Sequence, residues 1–276
     1  MTDIPPERDP RGYDLDEERQ RHDEEFSRAL LMGTNSAMRF GRHLLKVLPS
    51  DAHCKLCASP LHGGWGKVMS AIGKGPWPKN PKYCSWCFKD MVKRRAGAEI
   101  PCSLLFADVR GSTELAEHLT PTAFRGQMVR FFDVATDVLV DHDAIVDKFV
   151  GDEVIGLFIP LLTGELHADR AIAAGRALLA RTAGWIPIGI GVNSGIAFVG
   201  AVGSGEQAEF TAMGDPVNVT ARLASAAGAG ELLVTDAAAE SAHFETAGLE
   251  RRALELKGKS GTTEVVVVSA SQPPPA

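Results

Sequence analysis

The chain has 276 residues, 45% of them hydrophobic, enough for a globular core and one or two domains. No uninterrupted apolar run approaches the roughly 20 residues a membrane helix needs, and the acidic, Pro-rich start is unlike a secretion signal, so a cytoplasmic protein is expected. The net charge of −6 divides into +5 over residues 1–97 and −11 over the remainder; the acidic half lacks the basic face that phosphate-backbone binding needs, which argues against a nucleic-acid enzyme and leaves such contacts open only in the basic half.

Residues 1–13 are rich in Pro and charge and are expected to be disordered. Leu15, His22, Phe26, Ala29 and Leu30 form a loose helical stripe over residues 14–32. A shorter stripe at Met38, Leu44, Leu45 and Leu48 ends at Pro49. Residues 1–50 therefore read as a disordered start plus two surface helices, with a dimerising or regulatory helical pair as the alternative.

Residues 51–97 read as a metal-binding module and linker. Cys54-x-x-Cys57 and Cys84-x-x-Cys87 flank 26 residues rich in Gly, Pro, Lys and Trp. That stretch has little periodicity and needs a staple. Four cysteines in this pattern favour a metal over disulfides in a cytosolic chain. Tetrahedral Zn²⁺ is the first choice, with iron or an iron–sulfur cluster as alternatives. His53 and His62 stay outside the ligand set. Trp65, Trp77 and Trp86 are expected to pack the module. Lys89 to Arg95 reads as a basic helical stub, and Gly97-Ala98 as a hinge into a larger domain over residues 98–270.

That domain opens on an apolar run, Ile100 to Ala107, with Cys102 as a small core residue. The run ends on Asp108-Val109-Arg110-Gly111-Ser112-Thr113, and a helix-like segment begins at Glu114. A buried strand that delivers a carboxylate beside a helix N-terminus makes a site for a metal ion and an anion together. Thr120 caps a long helix that starts with Pro121 and carries Phe124, Met128, Phe131, Phe132, Ala135, Val138 and Leu139 at helical spacing. The strands 144–150 and 154–159 make a hairpin with Asp152 near its turn. Carboxylates on two neighbouring strand ends can hold two divalent ions, about 3.5–4 Å apart.

A second amphipathic helix carries Ala168, Ala171, Ile172, Gly175, Leu178 and Leu179. Residues 186–194 and 196–202 read as two strands hinged at Gly195. The order is that of an α+β, ferredoxin-like βαββαβ unit with added elements. A further block, Phe210 to Arg222, reads as strand, turn and helix starting near Asp215-Pro216. Asn218 and Arg222 are four apart and share one helical face. An amide and a guanidinium there suit a ribose and a phosphate, although alone they would read as an exposed polar face. Leu256-Lys257-Gly258-Lys259-Ser260-Gly261 precedes a last strand, 264–268, and residues 271–276 form a disordered tail.

Phe106-Ala107-Asp108-Val109-Arg110-Gly111-Ser112-Thr113 resembles the first metal motif of class III nucleotide cyclases, and Lys148-Phe149-Val150-Gly151-Asp152 resembles the second. The resemblance covers roughly residues 100 to 268. It implies that Asp108, Asp152 and the Val109 carbonyl hold two Mg²⁺ or Mn²⁺ ions, with Gly111, Ser112 and Thr113 beside the triphosphate. It places the ribose-orienting amide on Asn218 and the transition-state guanidinium on Arg222. Lys148 and Thr211 become the pair that reads the base, and Lys257 a triphosphate contact. Thr211 stands where many animal adenylyl cyclases have Asp, as in a bacterial-type subgroup. Lys148 argues for ATP, because guanylyl cyclases carry Glu there and a Lys can only donate. Asn193 stands where the family usually has His. No residue presents itself as a general base.

The resemblance also implies a head-to-tail homodimer with shared sites. The function expected is adenylate cyclase. The alternatives are a guanylate or low-selectivity cyclase, or a silent cyclase-like domain serving as a metal-dependent regulatory module. A silent domain should have lost a metal Asp or the Arg, and all are present. The four-cysteine module is read as a structural or redox-sensitive regulator acting through residues 89–97.

Overall fold

The computed structural model describes residues 24–34, 45–55, 57–93, 97–203, 208–255 and 261–269. After a helical segment at residues 24–31, the elements are helix α1 (Gly63–Ala71), a small hairpin of β1 (Pro76–Trp77) and β2 (Asn80–Cys84), and helix α2 (Ser85–Lys93). The larger domain follows as β3 (Gly97–Val109), α3 (Ser112–His118), α4 (Pro121–Asp141), β4 (Ile145–Val150), β5 (Glu153–Phe158), α5 (Pro160–Thr163) and α6 (His167–Thr182). It continues with β6 (Ile188–Val202), β7 (Glu209–Met213), α7 (Asp215–Ala226), β8 (Glu231–Thr235), α8 (Asp236–Ser241), β9 (Glu250–Glu255) and β10 (Thr262–Ser269).

β3 to β10 form one eight-stranded sheet in the order β4-β5-β3-β6-β8-β10-β9, with β7 paired to β6. All pairs are antiparallel except β6–β8. The first four strands of this domain take the spatial order of the ferredoxin-like unit, so the expected α+β class holds. The long helix begins as expected: the Thr120 side chain accepts from Ala123 N, and Pro121 sits in the first turn, where no N–H is needed.

β3 explains why its sequence reads as one apolar run rather than an alternation. Leu105, Ala107 and Val109 face a core with Phe131 and Leu139 of α4 and Ala171 and Leu178 of α6. Ile100, Cys102, Leu104 and Phe106 face the other side, against Leu61, Tyr83, Cys84 and Phe88 of the cysteine module. A strand covered on both faces loses its polar positions. The module therefore has no separate core; its apolar residues join the second face of the sheet. It also clamps the edge strand β4. Val146 N donates to Lys79 O at 3.1 Å, and Asn80 Nδ2 donates to Ala144 O at 2.6 Å. Lys55 and Lys82 ion-pair with Asp143 in the turn before β4. Covering an edge in this way closes off a row of unpaired backbone groups.

Several expectations change. Gly195 is not a hinge: β6 runs unbroken, and Gly195 pairs with Cys102 in a continuous ladder with β3. Long pairing on both sides of a strand outweighs one glycine. Gly97 and Ala98 are the first residues of β3, paired with Gly200 and Val199, rather than a hinge. The helical stub starts earlier, at Ser85, and includes Cys87. Only Trp77 of the three tryptophans packs the module, stacking on Phe88 at 3.7 Å; Trp65 and Trp86 are exposed. With the eight-stranded sheet supplying the apolar floor, the module needs one ring there. Residues 24–31 are helical, but Ser27 and Leu31 are its buried positions and Phe26 is exposed. The segments at 1–23 and 35–44, the linker at 94–96, Lys257, Lys259 and the tail lie outside the described residues. No helix among the described residues is long and apolar enough to cross a membrane.

One glycine sets the seat of α7. A Cβ on Gly191 of β6 would lie 2.6 Å from Ala224 N and 2.8 Å from Thr220 O. Those are backbone atoms of a packed helix and cannot swing aside. Gly191→Ala is expected to cost about 1–3 kcal/mol as an overpacked site, read as a lower denaturation midpoint at an unchanged m-value.

Candidate active site

β3 and β5 deliver the acidic groups. Asp108 is the last polar residue of β3 and pairs directly with Glu153, the first residue of β5. Asp152 sits in the turn just before it, behind Gly151. The Asp108 and Asp152 carboxyls lie close enough to interact directly. Burial, first, and the Asp152 carboxyl, next, push the Asp108 carboxyl up to about 6, against the pull of Arg110. Burial and the same two aspartates push Glu153 up to about 7. Asp108 and Asp152 are the two carboxyls that interact directly at this strand end, and a pair of like charges there suits a cation.

After Asp108 the chain turns at Gly111, whose φ of +71° lies in the left-handed region that glycine adopts without strain. Gly111 caps α3, and Ser112 and Thr113 open it, so all three stand immediately beyond the Asp108 strand end. Val109 is buried and paired with Ile188 of β6.

The sequence patterns above do not single out two residues of this group. Arg110 ion-pairs with Asp108 and donates to Ser225 O at the end of α7, at 3.0 Å. Residues two apart on an extended strand share a face, which is the signal that points to it. Glu153 emerges only from the register, because its partner lies 45 positions away.

A second group forms where β4 meets β7. Lys148 Nζ lies 3.4 Å from Glu209 and 4.0 Å from Asp147. Thr211 Oγ1 donates to Asp147 Oδ2 at 2.6 Å. Lys148 and Thr211, 63 positions apart, thus converge on one buried carboxylate. Among the described residues no hydrogen bond or ion pair joins this group to the Asp108 group.

Asn218 and Arg222 are four apart on α7, the first exposed and the second half-buried. Neither side chain has a hydrogen-bond or ion-pair partner among the described residues. The start of α7 is pinned by Asn193, a buried amide that donates to Pro216 O at 3.3 Å and accepts from Thr235 at 2.9 Å. Asn193 thus acts as a clip between β6, β8 and α7, a role its sequence context does not show.

In the module, Cys54, Cys57, Cys84 and Cys87 bring their sulfurs within 4.8 Å of one another. Cys84 Sγ lies 3.6 Å from Cys57 Sγ and 3.4 Å from Cys87 Sγ. Thiolates about 2.3 Å from a tetrahedral centre stand about 3.8 Å apart, so the spacing fits a four-coordinate metal. Hydrogen bonds from the other three cysteines hold Cys54 far below the usual thiol range. His53 instead contacts Leu48 O at 2.9 Å. Cys102, away from the cluster, is buried and pushed up to about 12 by burial.

Residues 172–269 match the family model for the adenylate and guanylate cyclase catalytic domain. The uncharacterized protein Rv1318c of Mycobacterium tuberculosis is 34% identical over 154 residues, covering 54% of this chain and 28% of that protein. The uncharacterized protein Mb1354c of Mycobacterium bovis is 35% identical over 130 residues, covering 46% and 23%. The chain thus spans about a quarter of the length of these relatives. Two solved structures are each 26% identical to it. The guanylyl cyclase Cya2 has a TM-score of 0.58, over 64% of this chain and 96% of its own. The adenylyl cyclase CyaB from P. aeruginosa has a TM-score of 0.56, over 63% and 96%. Residues 172–269 thus match the adenylate and guanylate cyclase catalytic domain, and the larger domain around them shares the fold of these two solved cyclases.

Proposed function

We propose that the chain is an adenylate cyclase that converts ATP to cyclic AMP and pyrophosphate as a head-to-tail homodimer with two shared sites, and that it works in the cytoplasm. The reading rests above all on Asp108 and Asp152 meeting at one strand end while the base-reading candidates gather elsewhere on the same chain. A chain that keeps its acidic and cationic halves apart can complete a site only with a second copy. Exposed apolar side chains flank both halves: Phe149 and Val150 beside Asp152, and Ile196 and Met213 beside Thr211 and α7. Such a surface is expected to be covered by a partner.

Asp108 and Asp152, with the Val109 carbonyl, would hold two divalent ions. Bound there, Mg²⁺ or Mn²⁺ would lower the pKa of the ribose 3′-hydroxyl and neutralise charge on the triphosphate. The protein's own groups do the rest. Lys148 donates to the adenine ring nitrogen and Thr211 accepts from its 6-amino group. Asn218 orients the ribose for in-line attack of the 3′-oxygen on the α-phosphorus. Arg222 stabilises charge developing there as pyrophosphate leaves, a preorganised electrostatic role. Amides from Gly111 to Thr113, and Lys257, face the triphosphate. In the same reading residues 51–97 form a zinc module and 98–270 the catalytic domain.

Comparing ATP with GTP in the presence of Mn²⁺ tests the substrate. The expected kcat/KM ratio favours ATP by at least about tenfold, the scale of one mismatched hydrogen bond to a charged group. A ratio near one, or a preference for GTP, would overturn the adenylate assignment.

A further inference from the structure

Asp147 is a buried carboxylate that the proposed reaction does not use, and its neighbours come from both halves of the chain. It lies at a β-bulge, where the β4–β5 register shifts between Val146 and Lys148. A bulge re-aims a side chain that a regular strand would point elsewhere. Here the carboxylate reaches the cysteine module on one side and β7 on the other. Its Oδ1 lies 3.3 Å from Lys79 Nζ, and its Oδ2 accepts from Thr211 Oγ1 at 2.6 Å. The side chain is only 6% exposed, and a charge so buried is retained when it is paired.

Lys79 is itself fixed from three directions. Its carbonyl accepts from Val146 N, its ammonium donates to Phe210 O at 3.4 Å, and the turn that carries it leads into β2 and Cys84. On the same flank, Phe88 follows Cys87 and meets the Phe210 ring edge-on at 5.6 Å. Phe210 is the residue before Thr211. The cysteine module therefore touches the Thr211 strand through a ring contact and through a salt-bridged carboxylate.

We propose that Lys79 and Asp147 are positioning residues for base selection, through which the four-cysteine module sets the preference of the nucleotide site. The inference rests on the reading of Lys148 and Thr211 as the base-reading pair. A Thr hydroxyl has one proton. Donated to Asp147, that proton leaves only lone pairs facing outward. Thr211 can then accept from the 6-amino group of adenine but cannot donate to the 6-oxo group of guanine. Lys79 has a second effect. By pairing with Asp147 it leaves Lys148, 4.0 Å away and held otherwise by the exposed Glu209, able to turn to the base. Without the Lys79 ammonium, Lys148 is the nearest cation and is drawn onto Asp147.

The test measures kcat and KM for ATP and for GTP on the 276-residue chain and on Lys79→Met, Lys79→Arg and Asp147→Asn. Metal content and dimer mass are followed on each sample. Lys79→Met is expected to lower the ATP-to-GTP ratio of kcat/KM by about tenfold, mainly through KM for ATP. Lys79→Arg should recover most of that loss. Asp147→Asn keeps the shape, frees the Thr211 proton and should shift the ratio the same way. If Lys79→Met does not fold, Asp147→Asn decides alone. A wild-type preference for ATP that neither Lys79→Met nor Asp147→Asn alters would overturn the role of Lys79 and Asp147 and leave the base reading standing. A wild-type chain without an ATP preference would instead overturn the base reading, and this inference with it.

Discussion

Mixed Asp108→Ala and Arg222→Ala chains are expected to recover cyclase activity that neither has alone. Each substitution removes a preorganised group, and each homodimer should fall by about 10²–10³ in rate. In a head-to-tail dimer the acidic half of one chain faces the cationic half of the other. A heterodimer then concentrates both lesions in one site and leaves the other whole. With free exchange half the dimers are mixed, so activity should return to about a quarter of wild type, as two-fold symmetry requires. The geometry motivates this directly. Asp108 contacts Asp152, Glu153 and Arg110, while Arg222 has no ion-pair partner among the described residues. Differently tagged chains and co-purified heterodimers make the measurement clean. Heterodimers that form and stay inactive would sink the shared site.

The second large effect is expected at the cysteine cluster. Cys84→Ser should remove the metal ion proposed at this cluster and loosen the module from the sheet. Structural zinc contributes an apparent binding free energy of about 10–16 kcal/mol in small zinc domains. Here the neighbours of Cys84 are as consequential as the ligand. Tyr83 and Phe88, both almost fully buried, close the same sheet face as Ile100, Leu104 and Phe106. Releasing them would also uncover the edge strand β4. At about 2–4 °C per kcal/mol, a loss of several kcal/mol lowers the melting temperature by about 10 °C or more. Elemental analysis of the same sample checks the metal. Iron in place of zinc would correct the metal's identity, and a metal-free chain that melts like wild type would remove the structural role.

Much of the larger domain is legible in the amino-acid sequence. Thr120 and Pro121 open α4 because a capping hydroxyl and a fixed φ act within one turn. The apolar spacing of α6 gives its buried face, including Ala171, Ile172, Leu178 and Leu179. β8, α8 and β9, from Glu231 to Glu255, leave no comparable trace. Their strands are short, and β9 presents Arg251 and Arg252 among glutamates, so neither gives a strong period-two signal.

The sequence by itself determined where the chemistry-bearing side chains stand locally: Asp108 at the end of an apolar strand, Asp152 at a turn, Asn218 and Arg222 on one helical face, and two pairs of cysteines. Each of those placements depends on neighbours within a few residues. Only the tertiary structure decided that Glu153 lies across from Asp108, that Arg110 reaches Ser225 at the end of α7, and that Lys79 reaches Asp147 from a module 68 positions upstream. Strand register and the docking of one layer on another follow from summed burial over many residues. No short window of sequence carries that sum.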